Sequence, residues 1–193
     1  MPMSAPSRFL ILGEPLALDL VNTRICRDGR EADLLDEPAA LAEWLHAENS
    51  RVSWVGTVTA TDLAEIRALR DAIDELLCAS RAARQPQAAA LNKVNAALAK
   101  PEAQPQLAWT ATAPYRIAPP AGSQRAALLH RLAVDALDVL TGPQAQRLRQ
   151  CAHPDCRLQF IARNPRRRWC SGALCGNRAR VARHYRRQAK STS

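Results

Sequence analysis

Aromatic side chains make up only 4% of this sequence, and no apolar run approaches the length of a bilayer span, so no membrane-embedded segment is expected. Phe9-Leu10-Ile11-Leu12 is too short for the apolar core of a secretory signal, and Glu14 and Asp19 interrupt the apolar residues beyond it. A cytoplasmic location with reduced thiols is the expectation. Catalytic patterns are missing as well. The four histidines, His46, His130, His153 and His184, are scattered, and there is neither a nucleophile motif nor a glycine-rich phosphate loop, so no enzyme is expected. Finally, one end of the chain lacks acid. Residues 147–193 carry thirteen Arg or Lys against Asp155 alone, a net of +12, while residues 1–146 carry fourteen bases and seventeen acids, a net of −3. All the excess positive charge sits on one tail, which calls for a polyanionic partner.

What is abundant is alanine in helical spacing, and the expected fold is mainly α. A short extended piece at 9–12 precedes the Gly13-Glu14-Pro15 break and a short helix from Leu16 to Thr23. Residues 24–35 read as a polar loop. Glu37-Pro38 starts a helix that buries Leu41, Trp44 and Leu45. After an extended stretch at 52–58, Thr61 is the expected cap of a long helix with Leu63, Ile66, Leu69, Ile73, Leu76 and Leu77 along its stripe. Pro86 opens a helix whose Leu91, Val94 and Leu98 are expected to face inward. Alternation between Pro105 and Pro119 predicts a small β-hairpin with its turn near Ala113-Pro114. Ser123 should cap a last helix of this part, ending at Thr141-Gly142-Pro143, with Leu128, Leu132, Ala136 and Val139 in one apolar row and Leu129, Ala133, Leu137 and Leu140 in the next. The expected division is a helical domain with a small β-hairpin, residues 1–146, followed by a small treble-clef-like zinc module with a basic C-terminal helix, residues 147–193.

That second module is the most specific signal. Cys151 and Cys156 form one C-x4-C pair, Cys170 and Cys175 another, with thirteen residues between them. Two thiolate pairs across a short loop suit one tetrahedral zinc ion, each pair closing a small chelate ring. A site of four thiolates leaves no position open, so its role is folding rather than chemistry. Zinc supplies roughly 10–16 kcal/mol in such modules. Phe160 and Trp169 should pack around the site. Cys26 and Cys78 are far apart in sequence and expected to stay unligated.

From Asn177 the chain reads as a helix, with Arg180, Arg183, Arg187 and Lys190 along one face and Val181 and Tyr185 as an apolar strip expected to pack on the zinc loop. Arg166, Arg167 and Arg168 form a second basic group just before Cys170, and Arg178 stands in the first turn. With one acid nearby, phosphates rather than carboxylates would relieve the repulsion. These side chains are the candidate nucleic-acid contacts. DNA is the expected partner and RNA the alternative, as in a zinc-knuckle RNA-binding or ribosome-associated protein. A homodimer would let the short helix read two half-sites, although no heptad seam is present to carry one.

Asp19, Asn22 and Thr23 share one face of the Leu16–Thr23 helix by i, i+3 and i+4 spacing. They read either as local caps and pairs or as the polar wall of a small-molecule pocket. Arg166 to Arg183, RRRWCSGALCGNRARVAR with the signature Cys175-Gly176-Asn177-Arg178, resembles the CGNR zinc-finger proteins, and Leu16 to Thr23, LALDLVNT, is similar to the LDxxNT signature of the ABATE domain found upstream of that finger. The resemblance implies a stress-responsive transcription regulator whose helical domain senses a ligand and whose finger binds DNA. It favours the pocket reading of Asp19, Asn22 and Thr23 for an unidentified ligand. The Ile161 to Pro165 loop departs from the family pattern, which often places an Asp and a Ser after the phenylalanine.

Overall fold

In the computed structural model, which describes residues 8–27, 29–99, 106–117 and 124–191, the elements occur in the expected order with two additions. Helix α1 is Leu16–Val21, and the hairpin of β1 (Arg24–Arg27) and β2 (Arg30–Asp33) comes directly after it. Helices α2 (Pro38–Ala47), α3 (Ala60–Arg81) and α4 (Ala88–Leu98) come next, then the hairpin of β3 (Gln106–Trp109) and β4 (Pro114–Ile117), then α5 (Gln124–Thr141). A 3-10 turn at Ala145–Arg147 leads into β5 (Leu148–Gln150) and β6 (Gln159–Ile161), and a π-turn at Gly172–Gly176 runs straight into α6 (Asn177–Ser191).

The long helix α3 is the axis of the body and touches α1, α2, α4 and α5. It begins at Thr59, not at Thr61 as the sequence suggests. Thr59 Oγ1 accepts from the Asp62 backbone N–H at 3.2 Å, and Asp62 accepts from the Thr59 N–H at 2.8 Å. This reciprocal box needs an acid three residues past the cap, which Thr59 has and Thr61 lacks. The α3 stripe from Leu63 to Leu77 is buried, as is the α5 row Leu128, Leu132, Ala136 and Val139. On α4 the inward residues are Ala90, Val94 and Ala97, which let α3 and α5 approach closely, while Leu91 points out at 44% exposure. Leu137 is likewise exposed.

The polar segment 24–35 is not a loop. It pairs Arg24 with Asp33, Ile25 with Ala32 and Cys26 with Glu31, and Gly29 takes a φ of +74° in the turn. Asp28-Gly29 is a strong hairpin-turn signal whose flanks are too charged to read as strand. The stretches at 9–12 and 52–58 join no sheet among the described residues. The β3–β4 turn is closed by Thr110, whose N–H donates to Ala113 O at 2.8 Å, so Pro114 begins the second strand instead of making the turn. The expected Ser123 cap lies outside the described residues. No helix among them is long and apolar enough to cross a membrane.

Helix α1 is only six residues long and cannot hold itself. Pro15 offers no side-chain cap, and Asp135 of α5 supplies one from a distance by accepting from the Ala17 N–H at 2.8 Å. Arg70 performs the matching task at the other end. This fully buried arginine on α3 reaches both Asp33 oxygens, at 2.6 and 2.8 Å, and donates to Thr23 Oγ1 at 3.2 Å. It ties the end of α1 and the end of the first hairpin to the central helix. The core does not stop at the start of the basic tail: Leu148 and Ile161 belong to the main cluster, while Leu12 and Ile25 pack against the cluster around the cysteines.

Candidate metal centre and nucleic-acid interface

Each cysteine pair is placed by a different local device. The first pair sits in the β5–β6 loop, where the Cys151 N–H donates to Leu158 O at 2.9 Å and the Cys156 N–H to His153 O at 3.1 Å. The second pair brackets the turn into α6. Ser171 caps that turn by accepting from the Leu174 N–H, and the Gly176 N–H donates to Ser171 O at 3.0 Å. A Cβ on Gly176 would stand 3.3 Å from the Trp169 ring and 3.4 Å from Ser171 O, so glycine lets the half-buried indole lie on the turn. Phe160 is fully buried in the same small core, as the sequence suggests.

All four sulfurs lie within 4.8 Å of one another, with Cys156 Sγ 3.9 Å and Cys175 Sγ 3.6 Å from Cys170 Sγ. A tetrahedron with Zn–S bonds of about 2.3 Å has edges of about 3.8 Å. Cys151, Cys156, Cys170 and Cys175 therefore fit one structural zinc ion. The thiol electrostatics agree. Four thiolates this close together repel one another strongly. Hydrogen bonds from Cys156 and Cys170 hold Cys151 far below the usual thiol range, while the neighbouring Cys151 pushes Cys156 up to about 12 and Cys170 higher still. A divalent ion reverses that order by stabilising four thiolates at once. The Cys170 N–H already donates to Cys151 Sγ at 3.4 Å. His153 is not among the clustered ligands, and its Nδ1 accepts from the Asp155 N–H instead.

The arginines divide into two kinds. Arg167 is structural. Its guanidinium lies 4.2 Å from the Phe160 ring centroid, donates to the carbonyls of Ile161, Trp169 and Cys170, and pairs with Glu14 at 3.0 Å. It is thus withdrawn from the expected basic surface. Arg166, Arg168, Arg178, Arg180, Arg183 and Arg187 are exposed, and no carboxylate among the described residues pairs with any of them. Arg168 lies over the Trp169 ring at 5.4 Å. The side chain of Lys190 lies outside the described residues. Helix α6 packs chiefly on the π-turn, and Val181 and Tyr185 are 46% and 66% exposed rather than folded onto the zinc loop.

Asp19, Asn22 and Thr23 are all buried, and each is held by a different protein partner. The Asn22 amide mimics a β-strand edge: its Nδ2 donates to Gln159 O at 2.9 Å and its Oδ1 accepts from Gln159 N at 2.8 Å, which docks β6 on α1. Thr23 donates to Leu20 O at 2.7 Å and accepts from Arg70. Asp19 shares Arg51 with Glu48, and its second oxygen, Oδ1, has no partner. Burial pushes the Asp19 carboxyl up to about 6, against the hydrogen bond from Arg51. Sequence reasoning missed the other members of this seam. Glu14 Oε2 accepts from the Ile161 N–H at 2.9 Å. Asp74 accepts from the Gln159 side chain and from Arg157, each at 2.7 Å, and Arg157 also pairs with Glu31. A buried acid on an apolar helix face, as Asp74 is on α3, was the available signal.

Two family models match the chain. One, described as "ABATE: Putative stress-induced transcription regulator", covers residues 14–143, and the other, the CGNR zinc finger, covers residues 147–188. No curated protein matches it.

Proposed function

Because the chain belongs to the ABATE family and carries a CGNR zinc finger behind that domain, we propose that it is a ligand-responsive, DNA-binding transcription regulator without catalytic activity. One observation carries the DNA-binding part. Six outward-facing arginines without a carboxylate partner among the described residues stand on a metal-stapled unit, on two separate segments. Cys170 ends the Arg166–Arg168 segment and Cys175 lies in the turn that begins α6, so one ion fixes both basic segments relative to each other. Arginine's planar fork suits phosphates and guanine edges alike. The metal contributes orientation only, since a shell of four thiolates offers no position to a substrate.

The test is fluorescence anisotropy of duplex DNA titrated with the zinc-loaded full chain. The full chain is needed because Leu148 and Ile161 are packed in the body's core. Six phosphate contacts imply a loss of affinity on the order of a thousandfold between 50 and 200 mM salt. Replacing Arg180, Arg183 and Arg187 together should remove most of the binding and flatten that slope. Affinity that is insensitive to both would refute the reading. Competition by structured RNA stronger than by duplex DNA would reassign the surface to RNA.

A further inference from the structure

A hollow of about 530 Å3 lies where the ends of α3 and α5 meet β5, and none of the metal-ligating cysteines lines it. Its size falls within the roughly 300–1,000 Å3 of small-molecule sites, which suits an organic molecule rather than a bare ion. Leu140 of α5, Ala145 of the 3-10 turn and Leu148 of β5 form its apolar wall. Leu148 is buried in the main core and ties that wall to the body.

The polar lining consists largely of donors. Its only charged side chains are Arg81, the last residue of α3, and Arg149 on β5, and neither has a carboxylate partner among the described residues. Arg81 donates to Gln150 Oε1 at 2.8 Å and to Cys78 Sγ at 3.2 Å, and its Nε is buried without a partner. Both acceptors are uncharged, because burial pushes the Cys78 thiol up. Arg149 engages only Nη1 among the described residues, with the carbonyls of Gln146 and Leu148 at 2.8 Å each. Gln150 accepts through its oxygen, so its amide N–H groups remain as donors. The acids around Cys78 are committed elsewhere, Asp74 to Arg157 and Gln159, and Glu75 to Arg84. The C-termini of α3 and α5 add about half a negative charge each, which still leaves the lining positive. A carboxylate or phosphate matches the guanidinium fork and supplies the charge that both arginines lack. A cation, or a purely apolar molecule, would leave the two like charges uncompensated.

We infer that this hollow is the effector site of the protein and that it takes a small organic oxyanion, a carboxylate or phosphate carried on a partly apolar body. The inference rests on the regulator reading above and moves its ligand site from Asp19, Asn22 and Thr23 to the end of α3. The location supplies a route to the DNA surface. Ser80 and Arg81 belong to the body, whereas Arg149 and Gln150 lie on the strand that runs directly into Cys151, the first metal ligand. An occupant therefore touches both units and favours one placement of the finger over others, which is the differential contact that any coupling between two ligands requires.

The experiment is calorimetric titration of the zinc-loaded full chain, at constant ionic strength, with benzoate, phenyl phosphate and succinate, and with benzamide as the uncharged analogue of benzoate. Saturable binding of at least one of the three anions is expected, and the preferred one distinguishes carboxylate from phosphate. Benzamide should bind about tenfold more weakly than the anions or worse, and Arg149→Gln, at an exposed position, should weaken the preferred anion by a similar factor. Replacing Arg180, Arg183 and Arg187 together by Gln should leave anion affinity unchanged, which separates this hollow from the DNA surface. DNA anisotropy without added anion reports independently on the regulator reading and on whether the variants are folded. A saturating anion should change DNA affinity about fivefold or more in the parent and not in Arg149→Gln. No saturable heat with any of the three anions, binding that survives Arg149→Gln but is lost in the triple variant, or DNA affinity unmoved by a bound anion would overturn the inference even where DNA binding is intact.

Discussion

Replacing Asn22 by alanine separates two roles for the LDLVNT segment more sharply than any other single change. In the structure the Asn22 amide gives the Gln159 backbone both of its cross-seam hydrogen bonds, at 2.8 and 2.9 Å, in a place where Asn22 and Gln159 are 5% and 2% exposed. Alanine leaves a buried N–H and a buried carbonyl without partners, each worth about 1–3 kcal/mol. Partial relaxation of the Gln159 strand brings the expected loss to about 2–4 kcal/mol, a large share of the roughly 5–15 kcal/mol that stabilises a domain. For a chain of this size the melting temperature should fall by about 5–15 °C. Urea unfolding followed by tryptophan fluorescence measures the loss, and hydrogen exchange at the Gln159 amide locates it: protected in the parent, fast in the variant. A residue kept for ligand contact predicts the opposite sign, because removing such a group commonly leaves stability unchanged or raises it. A variant that melts within a degree of the parent, with the Gln159 amide still protected, would refute the docking role.

Three other outcomes are expected from the same contacts. Zinc chelation should lower the stability of the whole chain and not only of the finger, because Leu148 and Ile161 sit in the main core; a body-tryptophan transition unmoved by chelator in a calorimetric scan counts against this coupling. Arg70→Met should cost about 1–3 kcal/mol, because it removes the buried tie to Asp33 and Thr23 while Arg67, 3.1 Å from Asp33, keeps that carboxylate paired, and Asp33→Asn should cost less in that background than in the parent in a double-mutant cycle. Asp19 titrates near 6 when folded and near its ordinary value when unfolded, so the native state binds the extra proton between about pH 4 and 6. Its contribution therefore improves as pH falls through that window and is lost as pH rises through 6; the difference in stability between the parent and Asp19→Asn, measured across pH 4–7, should slope accordingly, and a flat difference would remove Asp19 from the buried, singly paired state of the structure.

Local chemistry was enough to read the metal centre, because its ligands are close in sequence: C-x4-C pairs close chelate rings whatever surrounds them, and all four cysteines come together within 4.8 Å. The helical periods of α3 and of one α5 row were legible for the same reason, since a buried stripe is a property of one helix at a time. The concentration of positive charge in residues 147–193 was arithmetic. Tertiary structure decided which polar groups of the same types were free and which were engaged. Arg167 and Arg168 are neighbours of identical chemistry, yet one is held by Glu14 and the Phe160 ring while the other is open. Asn22 and Gln159 are 137 residues apart, and no spacing rule links a helix-end amide to a strand in another segment. Sequence specifies donors, acceptors and charges; only the packed chain determines which of them are left without partners, and those are the groups available to a ligand.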